Sequence, residues 1–136
     1  MKILALDIGD VWTGTALSDA SGFFAKPYQT VPTQELIPFL QGLFQKERIA
    51  TVIIGHPRTM KGTASEQTKK VEQIKAQLEQ QFSSHTFILW DERLSSKRAQ
   101  TLKNAKTKDE KIKSHSIAAA FILENYLQFA KPITAD

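Results

Sequence analysis

The stretch Ile3-Leu4-Ala5-Leu6-Asp7-Ile8-Gly9 constrains this chain most. Ile3 to Leu6 is apolar at every position, so it reads as a strand covered on both faces. The run ends in a carboxylate, which is costly at such a place unless a cation or hydrogen-bond donors meet it. Gly9 lets the backbone turn directly afterwards. Two readings of Asp7 stand side by side. It starts a turn, or it is a metal ligand held by a rigid central strand, because regular elements hold site geometry best.

The rest of the chain supplies the partners of that strand. A tight turn over Asp10 to Gly14 leads to a second strand, Thr15 to Asp19, and Ala20-Ser21-Gly22 turns again. Phe23 to Val31 reads as a third strand, at an edge because Pro27 interrupts it. Together these make an antiparallel meander. Thr33 is a candidate N-cap for a helix over 34–47, with Leu36, Leu40, Leu43 and Phe44 at helical spacing. Thr51 to Gly55 is a fourth strand, and a helix between strands implies a right-handed crossover into parallel pairing. A long helix is expected over 64–82, then a fifth strand over Thr86 to Trp90 followed by Asp91-Glu92-Arg93. Ser95 or Ser96 can cap a short helix reaching Leu102. Residues 103–113 read as a polar, basic connection. A last helix is expected over 114–129, with Ile117, Ala118, Phe121, Ile122 and Leu127 toward the sheet.

The chain's 136 residues suit one domain, 1–136, with one core. It contains no cysteine, which excludes disulfides and thiolate metal sites and fits a cytoplasmic location. No apolar run approaches the roughly 20 residues that a membrane helix needs. The net charge of +4 leans mildly toward a polyanionic partner.

Two of the apolar strands run into acids, Asp7 and Glu92. If the first strand neighbours the fourth, and the fourth the fifth, these acids can approach one another where the connectivity switches. Two carboxylates in one crevice repel, and a divalent cation removes the conflict. Oxygen ligands without thiolates suit Mg²⁺ or Mn²⁺. Two such ions about 3.5–4 Å apart would serve phosphodiester hydrolysis. Arg93 offers a planar fork to a phosphate, or else pairs with Asp91 or Asp7. Lys97, Arg98, Lys103, Lys106, Lys108, Lys111 and Lys113 form a basic run opposed only by Asp109 and Glu110. It is a solvated face or a track for a nucleic-acid backbone. The loop with His56, Pro57, Arg58 and Lys61 offers a second contact. Trp12 stacks on an unpaired base or packs into the core.

Four motifs taken in order resemble the YqgF/RuvX family. They are Asp7-Ile8-Gly9-x4-Gly14, Ile54-Gly55-His56-Pro57-x3-Lys61-Gly62-Thr63, Asp91-Glu92-Arg93-Leu94-Ser95, and Ser116-Ile117-Ala118-Ala119 with Ile122-Leu123-Glu124-x-Tyr126-Leu127. The resemblance covers nearly the whole chain. It implies an α/β, RNase H-like fold: a five-stranded mixed sheet in the order 3-2-1-4-5 with helices on both faces. It also implies a metal-dependent nuclease, with Asp7 and Glu92 as the first two acidic ligands. The family's third acid is an Asp at the start of the last helix, where this chain carries His115. An imidazole can hold a divalent ion, Mn²⁺ better than Mg²⁺, while lowering the charge of the site; alternatively the ligand is lost and activity with it.

The resemblance implies processing of the 5′ end of precursor 16S rRNA, in contact with pre-ribosomal particles. Branched DNA, as in Holliday junction resolution, is the alternative substrate. Two readings from other classes remain. A kinase of the actin/hexokinase type also places Asp-x-Gly after a first strand, but needs two lobes. A non-catalytic RNA-binding or ribosome-assembly module would follow from loss of the third acid.

Overall fold

The computed structural model describes residues 1–57, 65–91 and 96–130, without the side chains of 96, 98, 99, 102 and 130. Strands β1 (Lys2–Ile8), β2 (Trp12–Ser18) and β3 (Ala25–Pro32) form the expected meander. A short 3-10 turn, Thr33–Glu35, leads into α1 (Leu36–Lys46), and β4 (Ile49–His56) follows. Then come α2 (Glu66–Gln81), β5 (Thr86–Asp91), α3 (Ser96–Asn104) and α4 (Lys108–Ala130). The five strands pair in the order β3-β2-β1-β4-β5. β1 is antiparallel to β2 and parallel to β4, and β4 is parallel to β5. Both crossovers into parallel pairing contain a helix, as that connection requires.

The alternation of β1 divides the core in two. Leu4, Leu6 and Ile8 pack with Leu36, Leu40 and Leu43 of α1 and Val71 and Leu78 of α2. Ile3 and Ala5 face the other way, into a layer with Ala119, Ala120, Ile122 and Leu123 of α4. That explains the unbroken apolar run: the central strand has a helix layer on each side. Asp7 lies two residues beyond Ala5 and so continues the α4-facing series.

Three local expectations need correction. α4 begins at Lys108, not at 114. Thr107-Lys108-Asp109-Glu110 is a capping box: the Glu110 backbone N–H donates to Thr107 Oγ1 at 3.0 Å, and the Thr107 N–H to Glu110 Oε2 at 3.3 Å. Residues 108–113 are therefore helical despite their polarity, and His115 sits in the third turn of the helix rather than at its start. Within α4, Ala118, Ile122 and Leu127 are buried as expected, but Ile117 is 36% exposed. Phe121 is only half-buried, beneath the Lys97 ammonium at 5.8 Å. The small side chains Ser114, Ser116 and Ala118 to Ala120 are buried as well, and their size lets the helix approach its neighbours closely. Finally, Thr33 does not cap α1; its hydroxyl is used elsewhere, as shown below.

Candidate active site

β1 delivers Asp7 to the carboxyl end of the central strand, where it is 3% exposed. Its Cα partner on β2 is Gly14. Directly opposed residues of an antiparallel pair project from the same face, so Asp7 and Gly14 both lie under α4. A side chain at Gly14 has no room: a Cβ there would fall 1.9 Å from the carbonyl oxygen of His115 and 2.6 Å from the amide nitrogen of Ser116. The missing side chain of Gly14 thus admits the α4 backbone at His115, one strand spacing from Asp7. Thr30, the register partner of Gly14 on β3, donates its hydroxyl to the Ile112 carbonyl at 2.7 Å and ties the same stretch of helix down. A Cβ at Gly9 would lie 3.9 Å from Cε1 of the His115 ring. The imidazole therefore reaches the turn that follows Asp7.

That turn is held from several sides. Gly9 N–H donates to the Trp12 carbonyl at 2.9 Å. The Thr33 hydroxyl donates to the Gly9 carbonyl at 2.7 Å and lies 2.9 Å from the Thr13 hydroxyl, while Thr33 N–H donates to Val11 at 2.9 Å. The Gln67 amide of α2 donates to the Ile8 carbonyl at 3.1 Å. Thr33 and Gln67 brace the turn in ways that the sequence reading missed. A lone threonine after a proline and a glutamine on a polar helix carry no recognisable signal.

Other expected residues distribute as follows. Glu92 follows β5 directly in the chain, but with Arg93, Arg58 and Lys61 it lies outside the described residues. Asp91 is in register with His56, whose Nε2 is 3.2 Å from Glu72 Oε1 on α2. Both are therefore on the sheet face opposite to Asp7. Asp10 faces α2 and pairs with Lys70 at 3.2 Å, both well exposed, which assigns it to a solvated turn. Among the described residues no group of three His, Asp or Glu side chains forms a metal site. Asp7 and His115 supply two donors of suitable chemistry, a carboxylate and an imidazole, and a third would have to come from outside that set.

The model of the family described as "RuvX: Holliday junction resolvase" matches residues 1–129. The chain belongs to the RuvX family. Curated relatives named "Putative pre-16S rRNA nuclease" agree with this. The protein from Rubrobacter xylanophilus is 34% identical over 93% of this chain and 92% of its own. That from Bacteroides thetaiotaomicron is 37% identical over 93% and 96%. Among solved structures, "T. thermophilus RuvC in complex with Holliday junction substrate" superposes with a TM-score of 0.61 at 10% identity, covering 96% of this chain and 97% of that one. "Thermus thermophilus RuvC structure" superposes at 0.55 with 10% identity, over 95% of this chain and 96% of that one. These likenesses establish the RNase H-like fold.

In this RuvX chain the basic run is placed on α3, on the first turns of α4 and between them. Lys97, Lys103, Lys106, Lys108, Lys111 and Lys113 are all exposed. Lys97 is the one with a described acidic partner, Glu124 at 3.3 Å, a weak surface pair. Lys113 lies two residues before His115, about 200° around the helix, so it projects from another side of α4 at the same level. Arg98 lies on α3, its side chain outside the described set. No described helix is long and apolar enough to cross a membrane.

Proposed function

We propose that this RuvX protein is a divalent-metal-dependent endonuclease that hydrolyses phosphodiester bonds, with the 5′ end of precursor 16S rRNA as substrate. The observation that carries the reading is the position of the buried Asp7 directly across from the bare Gly14, on which the α4 backbone rests at His115. Asp7, Glu92 and His115 would hold Mg²⁺ or Mn²⁺, Asp7 from the rigid central strand and His115 from the helix above it. Bound there, such an ion would make water a nucleophile near neutral pH and stabilise charge on the phosphate oxygens. The chain's own contributions are electrostatic and positional. Burial of Asp7 strengthens its attraction for a cation. His115 brings a donor without a further negative charge. Arg93 would grip the scissile phosphate, and Lys97, Arg98 and Lys113 with Arg58 and Lys61 would track the backbone on either side.

The curated relatives' names support rRNA as substrate. Branched DNA is the second reading, favoured by the description of the family that matches this chain. A non-catalytic RNA-binding role in pre-ribosomal particles is the third, favoured by His115 in place of an acid. The family match over 1–129 supports treating the chain as one domain, and a cytoplasmic location belongs to the same proposal. The test is incubation of labelled precursor RNA and of junction DNA with and without Mn²⁺, beside an Asp7→Asn control. Mn²⁺-dependent cleavage of the RNA that Asp7→Asn abolishes is expected. Cleavage indifferent to Asp7→Asn removes this residue from the mechanism, and RNA binding without cleavage favours the third reading.

A further inference from the structure

On the far side of the Gly9 turn from His115, between that turn and α2, runs a groove of about 310 Å³. Its walls are Ile8, Gly9, Asp10 and Thr33 on one side and Gln67, Lys70, Gln73, Ile74 and Gln77 on the other. The α2 wall follows helical spacing, so its polar tips line one stripe; from Lys70 to Gln77 the stripe is about 10 Å long. Three features point to its occupant. The lining is mostly hydrogen-bonding but nearly uncharged: three glutamine amides, one threonine, and an ion pair. Amides donate and accept, which suits sugar hydroxyls and base edges. The ion pair, Lys70 with Asp10 at 3.2 Å, has side chains 57% and 63% exposed, so it is worth little and Lys70 can exchange its carboxylate for a phosphate. Gly9 is common to both places: it lines this groove and is the position whose Cβ would lie 3.9 Å from the His115 ring.

We infer that the α2 groove is a binding subsite for single-stranded nucleic acid, holding the strand after it crosses the Gly9 turn from the Asp7 side. The inference rests on the nuclease reading. It adds a second contact surface, on the face opposite to the lysine run of α3 and α4. Gln73 and Gln77 bind sugar and base edges, and Lys70 takes one phosphate. Among the described residues Asp10 is the only carboxylate on the lining, so it opposes the strand.

The experiment is fluorescence-anisotropy binding of a labelled twelve-nucleotide uridine RNA, and of the matching DNA, in EDTA to prevent cleavage. Gln73→Ala with Gln77→Ala should weaken binding about tenfold without changing its salt dependence, since no charge is altered. Lys70→Gln should flatten the slope of log K against log salt by about 0.7, the value for one phosphate contact on a single strand. Asp10→Asn should tighten binding about threefold. Gln73→Glu with Gln77→Glu should weaken it more than Ala76→Glu with Gln80→Glu, which add the same charge on the same helix outside the groove. Stronger loss for RNA than DNA assigns the amides to the 2′-hydroxyl; equal loss assigns them to base edges. Both support the subsite. Wild-type affinity in the double alanine variant, or equal effects of the two glutamate pairs, overturns it. If the subsite fails but the wild-type chain cleaves precursor RNA with Mn²⁺ and Asp7→Asn does not, the nuclease reading survives the failure. Absence of any binding by the wild-type chain removes both.

Discussion

Gly14 does as much for the proposed site as the residues proposed to carry its chemistry. Because a Cβ there would lie 1.9 Å from backbone, which cannot swing aside like a flexible side chain, Gly14→Ala must push α4 off the sheet. Overpacking of this kind costs about 1–3 kcal/mol, and the upper half of that range is expected. Urea denaturation would measure it, and cleavage should fall with it because His115 retreats from Asp7. His115 itself is tested by restoring an acid. His115→Asp should raise Mg²⁺-supported cleavage relative to Mn²⁺, because the harder carboxylate suits the smaller ion. If the substitution only lowers activity with both metals, the imidazole is no stand-in for the acid. Asp7 and His115 were both legible as candidates in the chain. That Gly14 is the joint between them was not, since a glycine after a turn looks the same whether or not a helix rests on it.

Among the elements, α4 and the β2–β3 hairpin each depend on one acidic side chain at an end. The capping box places α4 two turns earlier than the spacing of its apolar residues suggests. Its signal, Thr107-x-x-Glu110, was in the sequence but lay inside a stretch whose many lysines look like loop. Thr107→Ala should cost about 1 kcal/mol and speed amide exchange over 108–111, leaving the buried turns around Ile122 protected. Glu110 accepts from the Lys106 and Thr107 backbone N–H groups, and these hold its carboxyl below the usual value. The hairpin loop is tied by Asp19 in the same manner. Asp19 accepts from the Phe24 N–H at 2.9 Å, from Ser21 Oγ, and from the Phe23 N–H at 2.9 Å; led by the Phe24 bond, these lower its pKa to about 2. A carboxyl depressed on folding contributes stability above its unfolded value near 3.8 and loses it as pH falls through the folded value. The loop amides of Phe23 and Phe24 should therefore lose their shifts, followed by NMR, between pH 4 and 2, and Asp19→Asn should release them at every pH. Those bonds also explain why β3 starts at Ala25 rather than at Phe23: the two preceding N–H groups belong to Asp19.

At the scale of the whole molecule, the sheet order puts the buried carboxylate at the centre and every helix to one side or the other of it. The α4 side receives His115 and the lysine run; the α2 side receives the glutamine groove. A charge buried at such a place is a stability cost that a bound cation offsets. Mn²⁺ should therefore stabilise the wild-type chain by about 2.7 kcal/mol at a hundred times its Kd, raising its melting temperature, and leave that of Asp7→Asn unchanged. Differential scanning calorimetry reads this without any substrate. An equal shift in both proteins would place the ion somewhere other than at Asp7.

The amino-acid order alone determined the class of fold, the succession of elements and the identity of Asp7 as the acid to watch. Those properties depend on local periodicity and on an apolar run that only a doubly covered strand can use. Which face each residue occupies was decided by register, and register belongs to pairs of strands. So the sharing of a face by Asp7 and Gly14, the turning away of Asp91 toward His56, and the binding of the Gly9 turn by Thr33 and Gln67 exist only in the assembled sheet. The physical reason is the same in each case: a strand residue's partners lie perpendicular to the chain, where sequence neighbours say nothing.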